Sequence, residues 1–157
     1  MDTITIDRIN PATQREIDRL APGVARVINS VVAEGDNMAL PGRTTADGVR
    51  ERIRQAGERG GIFYAVERDH VIAFASLQPV EGDPETAALG VWVLPEFRRR
   101  GLGTDLSRTA IEFAREAGYT RLRGTIPAEN EPALSFFSAI GPIAAIEGGA
   151  MRYELPV

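Results

Sequence analysis

One segment narrows the fold more than any other. From Ala87 to Leu94 the chain is an apolar run with no ionisable side chain, and it stops at Pro95. Arg98-Arg99-Arg100 follows, and glycines at 101 and 103 open a helix marked by the spacing of Leu106, Ala110, Phe113 and Ala117. A strand that ends in a glycine-rich turn and restarts as a helix is a cradle for an anion. Glycine lets the backbone come close, the first amides of the helix have no partner within it, and the helix dipole favours negative charge there. Three arginines add charge beside those amides, so a pyrophosphate suits the turn, while the same triplet also reads as a solvated face. Both readings stand on the residue chemistry alone.

Other phosphate-binding turns fit less well. A dinucleotide fingerprint needs a third glycine where Leu106 stands, and a P-loop needs a lysine after its glycine. There is no lysine at all: the 18 basic residues are all arginine, which also excludes Schiff-base chemistry. With no cysteine there is no disulfide framework, thiolate nucleophile or thiolate metal site, and the single histidine, His70, excludes a multi-histidine site, so no metal is expected. The 18 basic residues stand against 22 acidic ones, a net charge of −4 that argues against nucleic acid as partner.

The 157 residues suit one domain spanning 1–157. The start of the chain lacks the basic and apolar regions of a signal peptide, and no apolar run approaches the ~20 residues that cross a bilayer. A cytoplasmic location without membrane contact is the expectation.

The remaining periodicities give an α+β order. Thr3 to Ile9 reads as a strand with Ile4, Ile6 and Ile9 inward. Thr13 to Ala33 has helical spacing through Ile17, Leu20, Val24, Val27, Ile28 and Val31, with a break or kink expected at Pro22-Gly23. Thr45 precedes a short helix to Gly57, whose apolar face is only Val49, Ile53 and Ala56. Ile62–Val66 and Val71–Leu77 form a hairpin around Glu67 to His70, and a third run covers Thr86 to Leu94. Gly118 suits the C-cap of the 103–117 helix. Arg121–Ile126 is a strand, Glu131–Ile140 a helix, and Ile143–Ile146 with Met151–Leu155 a terminal strand pair.

With these elements in place the chain resembles the Gcn5-related N-acetyltransferase (GNAT) superfamily. Its acyl-CoA signature, Arg/Gln-x-x-Gly-x-Gly/Ala, matches Arg98 to Gly103 after the strand end Val93-x-Pro95. Its later motif, Asn-x-x-Ala-x-x-aromatic-aromatic followed by Gly, matches Asn130, Ala133, Phe136, Phe137 and Gly141. The resemblance covers roughly residues 60 to 141 and implies a three-layer α/β arrangement. In that fold about seven mostly antiparallel strands, splayed between the fourth and fifth, are flanked by about four helices. It implies that Arg98, Arg99, Arg100, Gly101, Leu102, Gly103 and Thr104 bind the CoA pyrophosphate. It implies further that the strand end at Val91, Trp92 and Val93 holds the pantetheine, with Asn130 and Phe137 contributing to the cofactor site. Acetyl-CoA or another acyl-CoA is the implied co-substrate, and a small-molecule or peptide amine the implied acceptor; a homodimer is allowed. Asn130 also reads as an N-cap.

Two departures concern proton transfer. Where the family commonly has a tyrosine acid stands Phe137, which leaves Ser135 and Ser138 as the nearest hydroxyls, with Ser138 the candidate acid. The position of the family's common strand carboxylate is Gly90, which leaves Glu85 at the far end of that strand as the candidate base and Glu34, Asp36, His70 and Tyr64 as more distant ones. Gly90 also reads as a bulge that opens the cofactor cleft, and Trp92 as either a wall of the acceptor pocket or a core aromatic. Two functions follow: an acyl-CoA-dependent N-acyltransferase working by direct attack in a ternary complex, or a GNAT-fold acyl-CoA binder with little catalysis, acting as sensor or partner subunit.

Overall fold

The computed structural model describes residues 3–34, 42–127, 143–147 and 150–157. Seven strands form one sheet: β1 (Ile4–Arg8), β2 (Gly61–Glu67), β3 (His70–Val80), β4 (Asp83–Val93), β5 (Arg121–Pro127), β6 (Ile143–Glu147) and β7 (Ala150–Pro156), in the order β1-β2-β3-β4-β5-β7-β6. Every neighbouring pair is antiparallel except β4 with β5. Helices α1 (Gln14–Ala33) and α2 (Ala46–Ala56) cover one face, and α3 (Leu102–Glu116) the other. The helix expected over 131–140 lies outside the described residues.

Side-chain alternation along the strands builds two cores. On the α3 face Phe63, Ala75, Leu77 and Leu89 meet Leu102 and Leu106; on the α1/α2 face Ile62, Tyr64, Phe74 and Trp92 meet Leu20, Val24, Val27, Ile28 and Ile53. The three isoleucines expected inward are inward, but on two faces. Ile4 and Ile6 pack toward α3, whereas Ile9, of opposite parity and beyond the strand, is fully buried against α1.

The break expected at Pro22-Gly23 does not occur: α1 runs unbroken for 20 residues with Pro22 inside it. Pro22 lies on the exposed side, while Ala21, Val24 and Ala25 on either side are buried. Packing of that face outweighs the ~3 kcal/mol that an internal proline costs a helix. Gly23 serves close approach, since a Cβ there would come within 2.7 Å of Val71 Cγ2 on β3.

Local signals hold elsewhere. Thr45 caps α2 by accepting from the Gly48 amide at 3.2 Å. Arg68 and Asp69, at φ 50° and 63°, make the two-residue turn between β2 and β3. Gly118 (φ 94°) ends α3, its amide donating to the Arg115 carbonyl and that of Tyr119 to Ala114, the two bonds of a Schellman motif.

Tyr119 is 2% exposed, and its hydroxyl finds no hydrogen-bond partner among the described residues. Burial raises its pKa, opposed by the Arg59 guanidinium stacked 4.2 Å above the ring. Tyr119→Phe removes an unsatisfied buried hydroxyl and keeps the ring, so urea denaturation is expected to show unchanged or higher stability, by up to about 1 kcal/mol. A loss of that size instead indicates a partner for the hydroxyl.

Candidate active site

The site begins where β4 and β5 part. Their parallel pairing runs only from Thr86↔Arg121 to Ala88↔Arg123, after which β5 continues with β7 alone. Meanwhile β4 stays in register with β3 as far as Val93↔Ala73. The Leu94 amide donates to the Ile72 carbonyl at 3.0 Å. Alternation in an antiparallel ladder then turns the backbone groups of Gly90 and Trp92 toward β3 and those of Val91 and Val93 away from it, into the gap that β5 has left.

The N-terminus of α3 stands over that gap. Arg99 (φ 64°) and Gly101 (φ 83°) are both left-handed, which curls the loop so that successive amides turn to one side. Among the described residues no side chain caps α3, so its first amides, those of Leu102, Gly103 and Thr104, point out of the helix end. Leu102 anchors the turn from below, 4% exposed in the α3-side core. Ser107, which the sequence did not single out, fixes it from within by donating to the Gly103 carbonyl at 2.7 Å. Among the described residues a Cβ on Gly103 would meet only Val91 Cγ1, at 3.9 Å. Neither internal packing nor a positive φ requires glycine there; the space over it is open and faces the edge of β4.

The three arginines divide. Arg98 is committed within the protein: its two Nη groups donate to the Glu34 carboxylate at 2.8 and 2.7 Å, and its Nε donates to the Val93 carbonyl at 3.0 Å. It braces the C-terminal end of α1 to the end of β4. Glu34, one of the distant base candidates, is thereby held as the partner of a guanidinium. Arg99 and Arg100 are exposed at the mouth of the turn, and Arg100 lies 5.1 Å over the Phe97 ring.

Trp92 is a core aromatic, stacked on Phe74 with centroids 5.0 Å apart and 8% exposed. The bulge expected at Gly90 is absent: Gly90 pairs with Ser76 in an unbroken register, and the irregularity in β3–β4 falls at Pro79/Val80. Gly90 instead seats the indole. A Cβ there would lie 2.1 Å from Trp92 Cη2.

The proton-transfer candidates are not brought together. Glu85 is exposed, six residues before Val91 and so about 20 Å away along the strand. His70 is exposed at the β2–β3 turn. Tyr64 lies 7% exposed under α1, where burial and the nearby Asp7 and Glu16 raise its pKa against the opposing effect of Arg19. Asp36, Asn130, Ser135, Phe137 and Ser138 lie outside the described residues. Among the described residues no group of three or more His, Asp or Glu side chains is placed to hold a metal ion, and no helix is long and apolar enough to cross a membrane.

Comparison with known proteins gives one family. The model of the acetyltransferase (GNAT) family matches residues 33–141. An uncharacterized N-acetyltransferase of Escherichia coli, YjgM, is 29% identical over 124 residues, which cover 76% of this chain and 74% of that protein. Among solved structures, an acetyltransferase of the GNAT family from Streptococcus pneumoniae superposes with a TM-score of 0.79 at 19% identity, over 99% of this chain and 100% of that one. The yncA protein of Salmonella typhimurium, solved with its cofactor acetyl-CoA, superposes with a TM-score of 0.76 at 18% identity, over 98% of this chain and 93% of that one. Those two are likenesses of fold. The family model spans the divergent strand, the glycine turn and the α3 cradle together, and on that match the chain belongs to the acetyltransferase (GNAT) family.

Proposed function

We propose that this chain transfers an acetyl group from acetyl-CoA to a primary amine of a small molecule or peptide, by direct attack while both are bound. The observation that carries the reading is the uncapped, glycine-lined start of α3 set over the unpaired edge of β4. The residues fit the co-substrate. The amides of Leu102, Gly103 and Thr104, with Arg99 and Arg100 at the mouth, suit a pyrophosphate, and the outward backbone groups of Val91 and the Val93 amide suit an extended chain that adds alongside β4. Arg98 supports this cradle by holding Val93, with Asn130 and Phe137 as further cofactor contacts by motif. Acyl-CoA supplies an activated thioester carbonyl and a thiolate leaving group whose reference pKa of ~8.5 needs no strong acid.

The chain's own part is binding, orientation and polarisation by backbone amides. No ionisable side chain stands on β4 from Thr86 to Val93, so the acceptor enters as the free amine or passes its proton to water. Ser138 is the hydroxyl assigned to the leaving group, and Glu85 is too far along β4 to serve without a relay.

The test follows thiol release from acetyl-CoA with a panel of amines, alongside thermal stabilisation by CoA. Stabilisation with turnover is the expected result. Stabilisation without turnover across the panel favours a sensor or partner subunit, and no stabilisation by any CoA species excludes both.

A further inference from the structure

Several arginines of this protein are matched to acids. Arg50 pairs with Asp18 and Asp47, Arg54 with Glu51, and Arg98 with Glu34. Arg52 on α2 differs. It is half-buried, its side chain has no hydrogen bond or ion pair among the described residues, and burial lowers its pKa with no acid acting against that. A guanidinium partly withdrawn from water and left without an anion favours an anion that arrives from outside.

Arg52 also borders a cavity of about 270 Å³ between α1 and α2, whose wall includes Ile28, Thr44 and Gln55, with Arg43 at the rim. The wall is built in advance. Asn29 on α1 clasps the Thr44 backbone on both sides, donating to its carbonyl at 2.9 Å and accepting from its amide at 2.8 Å. Gln78 on β3 holds α2 by donating to the Arg52 carbonyl at 3.3 Å. Glu51, the acid at the edge of the cavity, is taken up by Arg54 and Gln55. In a chain of net charge −4 this is a local positive site.

The cavity is linked to the end of β4 through α1. Ile28 precedes Glu34 by six residues, about 9 Å along α1, and Glu34 grips Arg98 at the end of β4. Gln78 donates to the backbone carbonyl of Arg52 and, at 3.4 Å, to Ser76 Oγ, which places α2 at Arg52 over the same sheet face as Gly90, the cross-strand partner of Ser76. That face is small and polar at Ser76 and Gln78, and the Trp92 indole covers it at Gly90.

We propose that this cavity receives a carboxylate on the acceptor through Arg52, so that the acceptor is a small amino acid-like molecule carrying an amine and a carboxylate. The proposal names the substrate class of the acetyltransferase reading and rests on it.

The decisive experiment needs no turnover. Short α- to ω-amino acids, N-acetylated, and their methyl esters are titrated calorimetrically into the protein in the presence of CoA. At least one acid is expected to bind, with its ester at least about tenfold weaker, because a charge-assisted contact is lost. Arg52→Gln is expected to abolish the difference, and Arg52→Lys to recover part of it, with CoA stabilisation retained in both as a check on folding. Acid and ester binding alike, neither binding, discrimination intact in Arg52→Gln, or inorganic phosphate competing as well as the best acid each overturns the proposal. In turnover assays the acid-to-amide ratio of kcat/KM should fall about tenfold in Arg52→Gln. Discrimination in binding with no turnover of any acceptor defeats the transferase reading alone; turnover of amines with no discrimination defeats this inference alone.

Discussion

Gly103→Val is expected to remove CoA binding while leaving the fold intact. The fold tolerates the change because, among the described residues, a Cβ at 103 meets only Val91 Cγ1 at 3.9 Å, an ordinary contact, and the backbone there is already helical. Valine is a poorer helix former than alanine but better than glycine, so the change in stability stays within about 1 kcal/mol. The branched side chain nevertheless fills the space over the first amides of α3, where a pyrophosphate has to come within hydrogen-bond distance. Losing those contacts and adding a clash should weaken CoA by at least about 100-fold, or ~2.7 kcal/mol. Calorimetric titration with CoA, paired with a urea melt, reads both quantities. Unchanged CoA affinity in a folded variant would mean that the cofactor does not lie on this turn. Gly101→Val is a useful contrast, since φ of 83° makes that change costly to the loop itself, whether or not a ligand comes.

The strand end, the glycine turn and the helix start were legible in the sequence for a local reason. The apolar run, the glycines at 101 and 103 and the helix beyond lie within one short stretch, and each acts on its immediate neighbours. The same holds for Thr45 at the start of α2, Gly118 at the end of α3, and the turn at Arg68-Asp69. Features set by distant parts of the chain were not legible. Pro22 is a helix breaker by local rules, and only the packing of Ala21, Val24 and Ala25 against the sheet overrides it. Arg98 reads as a free cation beside a phosphate site until α1 brings Glu34, 64 residues earlier, against both of its Nη groups. Arg52 carries no signal in the sequence, since only the fold brings Ile28 to the same cavity and Gln78 to its backbone carbonyl. The expected strand alternation did place Gly90 and Trp92 on one face, but which way the indole turns depends on Phe74 from the neighbouring strand.

Gly90→Ala is expected to destabilise the protein by about 1–3 kcal/mol, a large effect for one methyl group. The added Cβ would lie 2.1 Å from Trp92 Cη2 and under 3 Å from two more ring carbons, so the indole has to leave its seat. It then loses the stack on Phe74 and opens the core beneath α1 and α2. A double-mutant cycle separates this cause from strand distortion. Trp92→Leu alone is expected to cost about 2–4 kcal/mol through lost packing, but in that background Gly90→Ala should cost less than about 0.5 kcal/mol, because the shorter side chain does not reach over position 90. Equal costs in the two backgrounds would show that glycine is needed there for the backbone and not for the ring. The cycle also bears on chemistry. Position 90 is where the family resemblance puts a carboxylate base, and in this chain the indole occupies that space. Gly90→Glu is therefore expected to cost at least as much stability as Gly90→Ala without raising turnover, since a side chain there displaces Trp92 before it can meet an amine.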